Sequence, residues 1–312
     1  MKKYLELNDI TAYKDAFHFS NMVWGIVVGW NHFAQSTIGS QFVRAIDSIS
    51  ANIAEGFGRY SKKDKIKFYR YSLGSLKESL DWNEKAQKEL LTELRQYSPE
   101  FSRLVENKKF DMENGKFGHH DAPVYYSMIR HFKPKKIIEV GAGSSTELAY
   151  LAAQNDGDTS IISIDPFVNE DFKKRMSEHV NFIQKPVQNI PLSLFESLSK
   201  NDILFIDSSH VTKIGSDVNF LFLEVLPTLK PEVIVHVHDI FLPRTYSRAW
   251  LENHLIFWNE QFLLNAFLIE NKSFEVLLAN SFMGTTYPES LRSFYDTGKI
   301  SGGGSFWMRR IK

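Results

Sequence analysis

The chain has 312 residues, 43% of them hydrophobic and 24% charged, with Lys plus Arg and Asp plus Glu balanced at 37 each. A net charge of zero offers no global field to recruit nucleic acid or a membrane surface. No apolar run approaches the ~20 residues that span a bilayer, so the expected location is the cytoplasm. Cysteine is absent, which excludes disulfides, zinc ribbons, iron–sulfur clusters and a thiol nucleophile.

Residues 1–109 read as helix. Apolar and aromatic side chains recur at helical spacing over Tyr13–Trp30, Ile38–Ala54 and Phe68–Leu91. Breaks near Thr37–Gly39, Gly56–Ser61 and Ser98–Pro99 give four helices with short connections, the pattern of an up-down bundle. The bundle carries more Trp, Phe and Tyr (Trp24, Trp30, Phe33 and Trp82 among them) than a four-helix core of this length can bury, which points to an interface. A basic run (Arg59, Lys62, Lys63, Lys65, Lys67, Arg70) reads as a solvated helix face rather than an RNA site.

After a polar linker near Asn107–Asn114 the period changes. Apolar strands over 136–142, 160–165, 180–187, 202–207, 232–239, 274–280 and 304–311 alternate with helical stretches, the signature of βαβ units. The expected organisation is two-domain: an all-α four-helix bundle over 1–109, then an α/β Rossmann-like seven-stranded domain over 110–312.

The most informative segment is KKIIEVGAGSST at 135–146, a buried strand, a glycine turn and a helix start. Gly141 and Gly143 let backbone N–H groups and a helix N-terminus approach a ligand closely. A dinucleotide fingerprint needs a third glycine where Thr146 stands. Glu139 repels phosphate but suits a cationic, amino-acid-bearing ligand. Ligands of open α/β sheets bind beyond the carboxyl ends of the strands. There the chain places Asp165, then Val187 and Gln188, then Asp207 with His210, then His238 and Asp239. His236 and His238 share one face of their strand, where buried histidines are costly unless paired. His119 and His120 are candidate substrate contacts, and Asp121 is read as the N-cap of the following helix.

The segment 135–146 resembles motif I of class I S-adenosylmethionine (SAM) methyltransferases, and the acids at the strand ends extend the resemblance over most of 117–312. It implies SAM as cofactor, bound by Glu139, Gly141, Gly143, Ser145, Asp165, Val187, Gln188 and Asp207. Asp165 then accepts the ribose hydroxyls, while Val187 and Gln188 bracket adenine. It also implies a final strand inserted antiparallel. Catalysis is expected from Asp207, His210 and His238, with a histidine of near-neutral pKa as base. Metal-dependent small-molecule O-methyltransferases hold magnesium with oxygen ligands at the ends of strands four and five. By that resemblance Asp207, His238 and Asp239 are candidate metal ligands, the histidine suiting manganese or iron better than magnesium.

The stretch 38–82, with Arg44, Ser48, Asn52, Glu55, Gly56, Gly58, Arg59, Phe68 and Glu78, resembles the four-helix-bundle family found in intervening sequences of 23S ribosomal RNA genes. Members tend to form pentameric rings, and some bind nucleic acid or a protein partner. The combined expectation is a homo-oligomeric SAM-dependent methyltransferase with a small-molecule or peptide acceptor. The alternatives are an RNA methyltransferase delivered by the bundle and a non-catalytic assembly protein.

Overall fold

The computed structural model describes residues 6–30, 35, 40–58, 82–154, 157, 159–269, 271–296 and 303–312. Phe33 and the basic run from Arg59 to Arg70 lie outside them. Contacts divide the chain into two compact units, one of residues 1–81 with 265–271, the other of residues 82–264 with 272–312.

In the first unit, helices α1 (Thr11–Val28) and α2 (Ser40–Gly58) pack on each other. Val23, Val27 and Ile53 are buried, as their helical spacing requires. Ser20 donates to Asp47 across the pair. Phe17, Trp24 and Val28 stay more than half exposed.

The second unit begins earlier than the expected boundary at 109/110. Helices α3 (Glu84–Leu94) and α4 (Ser98–Glu106) belong to it. Leu91, Leu94 and Phe101 are buried there. Gln87 Oε1 accepts from Ala279 N at 2.9 Å, and Ser98 Oγ donates to Phe294 O at 2.7 Å. Trp82, expected on an exposed bundle face, is instead buried and stacked on Phe282 with centroids 4.4 Å apart.

The sheet has seven strands: β1 (Lys136–Val140), β2 (Ser160–Ile164), β3 (Val180–Ile183), β4 (Ile203–Ile206), β5 (Ile234–Val237), β6 (Phe274–Ala279) and β7 (Phe306–Arg310). Their order is β3-β2-β1-β4-β5-β7-β6. The first five run parallel, and β7 inserts antiparallel between β5 and β6. Each predicted strand is present. Ile137, Ile138, Leu204, Phe205, Ile234 and Val235 are wholly buried, as parallel strands covered on both faces must be.

Helices α5 (Asp121–Phe132), α6 (Ser144–Ala153), α7 (Glu170–Met176), α8 (Leu192–Glu196) and α9 (Asp217–Phe220) come between or before the parallel strands. They are followed by α10 (Arg248–His254), α11 (Glu260–Leu268), α12 (Asn280–Thr286) and α13 (Pro288–Phe294). Strand order reverses between β1 and β4, so their carboxyl ends open a crevice at the switch point. Among the described residues no helix is long and apolar enough to cross a membrane.

Candidate active site

The crevice is built from the ends of β1 and β4. Gly141, with φ +96°, turns the chain out of β1 and donates its N–H to Ile164 O at 3.0 Å. A Cβ at Gly141 would sit 2.6 Å from the carbonyl oxygen of Asp207, so this position excludes any side chain. At Gly143 a Cβ would meet no protein atom within 4 Å, so protein packing does not demand this glycine. Thr146 ties the turn together by accepting from Gly143 N at 3.0 Å.

Glu139 is wholly buried beneath the turn. Its Oε1 accepts from Ser145 Oγ at 2.6 Å, so that hydroxyl is committed to the acid, while Oε2 has no partner. Burial pushes the carboxyl up to about 8; the hydroxyls of Ser145 and Thr146 oppose the rise, and the charges of Asp207 and Asp165 add to it. A carboxyl in this condition is paid for in stability and is suited to a cation.

Asp165 follows β2, and its Oδ1 accepts from Phe167 N at 2.7 Å, which fixes the orientation of the carboxylate. Phe167 itself is almost fully exposed. Val187 is buried, and exposed Gln188 donates to Gly215 O at 3.0 Å, joining the end of β3 to the loop after β4.

Beyond β4 and β5 the chain gathers four acid–base groups. His210 Nε2 lies 3.2 Å from Asp207 Oδ1 and 3.7 Å from Asp239 Oδ2, and its Nδ1–H donates to Glu260 Oε2 at 2.7 Å. One donor atom each from Asp207, His210 and Asp239 lie within 4.8 Å of one another. His210, not the expected His238, therefore completes the cluster. His238 Nε2 is 3.8 Å from Asp239 Oδ1, while its Nδ1 is buried without a partner and its ring packs 5.1 Å from Phe117.

The protonation states follow from this packing. For His210, burial pushes downward, but hydrogen bonds and charge from Asp207 and Glu260 prevail and raise the imidazole to about 10. These carboxylates favour the charged imidazole at neutral pH, whereas the sequence reading expected a near-neutral base. Desolvation pushes the Asp207 carboxyl up, yet His210 and His238 together hold it below its ordinary value. Asp239 is raised, chiefly by burial. His236 is held neutral by complete burial, stacks on Phe205 at 4.1 Å and packs 4.5 Å from the tilted ring of Trp307, so it belongs to the core.

An aromatic wall borders the cluster. Trp258 lies 4.2 Å from His210, Trp250 lies 5.1 Å from Trp258, and Tyr246 and Phe241 complete the group. His120 turns away from the crevice, with Nε2 3.0 Å from Tyr295 O in a buried site, and His119 is exposed. Asp121 does not cap α5: it is the first residue of that helix, and its carboxylate accepts from Asn280 Nδ2, Gly304 N and Ser305 N at 2.8–3.0 Å. It anchors the glycine loop before β7. Glu260 was not anticipated from the sequence; the signal was the single charged residue in the stretch Phe257–Leu268.

Residues 138–240 match the family model of a methyltransferase domain. Residues 8–109 match the model of the 23S rRNA-intervening sequence protein family. An uncharacterized protein of Archaeoglobus fulgidus is 32% identical over 94 residues, which are 29% of this chain and 42% of that protein. The chain thus spans less than half the length of that relative. Among solved structures, the SAH-bound methyltransferase PaMTH1 of Podospora anserina is 17% identical with a TM-score of 0.42, over 71% of this chain and 88% of that one. The plantazolicin methyltransferase BpumL, in complex with SAH and a desmethyl plantazolicin analog, is 14% identical with a TM-score of 0.40, over 72% of this chain and all of that one. Within the methyltransferase domain fall Glu139, Gly141, Asp165, Asp207, His210 and Asp239; Glu260 and the aromatic wall lie beyond it.

Proposed function

We propose that the chain is a SAM-dependent methyltransferase that methylates a small-molecule or peptide acceptor, with its N-terminal helices serving self-association. The observation that carries the reading is Glu139: a buried carboxyl with Oε2 unpartnered, under a turn where Gly141 excludes a side chain and Gly143 leaves one side open. These features fit an amino-acid ammonium and a nucleoside. Glu139 would hold the ammonium, Asp165 the ribose hydroxyls, and Val187 with Gln188 the adenine edge. Bound there, SAM supplies an activated sulfonium methyl, so the protein has to supply alignment and proton management.

Asp207, His210 and Asp239 face the acceptor. His210, charged at neutral pH, cannot take the acceptor's proton, whereas Asp239, raised by burial and partly exposed, can. The wall of Trp250, Trp258 and Tyr246 favours an acceptor with an apolar or planar body. Isotope-labelled SAM incubated with the protein and a metabolite extract should yield a labelled product, and no labelled product with any extract would contradict the reading.

A second reading of the same cluster is favoured by its donor set. Two carboxylates and an imidazole nitrogen suit a divalent ion such as manganese or iron, which would replace the Nε2 proton of His210 and lower the acceptor's pKa. Elemental analysis of chelator-free protein should then find about one ion per chain, bound less tightly in Asp207→Asn. Metal-free protein that turns over fully in EDTA would leave Asp239 as the base.

For assembly, the support is the match to the intervening-sequence family together with exposed Phe17, Trp24 and Val28 on α1. The family resemblance makes a pentamer the expected form.

A further inference from the structure

We propose that Glu260 is the positioning residue of the reaction centre, committing Nδ1 of His210 to itself so that Nε2 is the nitrogen presented to Asp207 and Asp239. The purpose of this device rests on the methyltransferase reading; its geometry does not.

Glu260 opens α11 and is wholly buried, the costliest place for a carboxylate that had no partner. Both of its oxygens are used at the site. Oε2 accepts the Nδ1–H of His210 at 2.7 Å, and Oε1 accepts from Ser208 Oγ at 3.0 Å. The same helix start also grips the backbone of His210, because Asn259 N and Glu260 N donate to His210 O at 3.0 and 3.2 Å. Trp258, two residues earlier, lies against the ring at 4.2 Å.

His210 sits in the left-handed backbone region at φ +58°, a conformation that needs such holding. One short segment, Trp258–Glu260, thus fixes the backbone, the ring plane and one ring nitrogen of His210. The other nitrogen has a single direction left, toward Asp207 and Asp239. A carboxylate behind a functional imidazole settles which nitrogen does the chemistry, whether that nitrogen carries a proton or a cation. The groups facing the pair are Asp207, Asp239, His238 and Lys116 from the crevice side and Tyr246 from the wall.

The test uses the full chain with ring-15N-labelled histidine, the His210 signal being assigned by its loss in His210→Gln. At a pH above the His210 value of about 10, where the imidazole is neutral, wild type should show a protonated Nδ1 and a bare Nε2, the reverse of a free histidine side chain. Glu260→Gln should keep that pattern, since the amide oxygen still accepts. Glu260→Ala should lose it and give a majority of the Nε2-protonated form, with SAM affinity by calorimetry within about twofold of wild type. Should Glu260→Ala fail to fold, wild type and Glu260→Gln still decide. An Nε2-protonated ring in wild type, or an unchanged pattern in Glu260→Ala, overturns the proposal. Absence of SAM binding to wild type would instead sink the methyltransferase reading, with the ring pattern standing apart from it.

Discussion

Gly141 and Asp207 approach so closely that a Cβ on the glycine would lie 2.6 Å from the aspartate's carbonyl oxygen. The ends of β1 and β4 meet here, and the crevice exists in this form because residue 141 has no side chain. Alanine at 141 would face both the clash and a φ of +96°. Gly141→Ala should therefore lose about 1–3 kcal/mol of stability and bind SAM at least tenfold more weakly. Chemical denaturation and calorimetry measure the two effects, and a variant with parental values would contradict this account of the turn.

Glu139 makes a prediction about pH. Its carboxyl is pushed up to about 8 in the folded chain, against an ordinary 4.5. Between those values the unfolded chain ionises this group while the folded chain keeps its proton. Its stabilising contribution is thus complete below pH 4.5, is lost as pH rises through the window, and stays lost above it. Glu139→Gln should gain about 1–3 kcal/mol over the parent at pH 9 and little at pH 5. The same variant should bind SAM less well, because an amide cannot ionise opposite the ammonium as the carboxyl can when the cation arrives. Denaturation at the two pH values checks the first claim, and equal differences at both would contradict it.

The architecture was legible in the sequence where physics acts locally. Parallel strands buried on both faces give largely apolar runs, so the five parallel strands could be placed, the last two followed from short apolar runs, and acids just beyond the parallel ones marked the crevice. The grouping of α3 and α4 with the sheet was not legible, since residues 8–109 match a single family model while contacts divide the chain at Trp82. The amphipathic pattern of α3 is the same whether its apolar face packs in a bundle or against a sheet; contacts far along the chain, Gln87 with Ala279 and Glu84 with Tyr287, distinguish the two. The charge on His210 was partly hidden, because it depends on Asp207 together with Glu260, fifty residues away. Asp121 looked like a helix cap because its real partners, Gly304 and Ser305, lie at the other end of the domain.

That boundary can be tested by truncation. A fragment starting at Trp82 keeps α3 and α4 and should fold cooperatively and bind SAM as the full chain does. A fragment starting at residue 110 lacks Leu91, Leu94 and Phe101, each nearly or wholly buried, and should be aggregated or molten. Circular dichroism and thermal melts distinguish the two. Cooperative melting of the shorter fragment would return the boundary to 109/110.

The central claim is that the crevice holds SAM, and titration calorimetry tests it most directly. The full chain should bind SAM with micromolar affinity, and Asp165→Ala should weaken binding by about 1–3 kcal/mol through lost ribose hydrogen bonds. Binding of NAD with no heat from SAM would contradict the account.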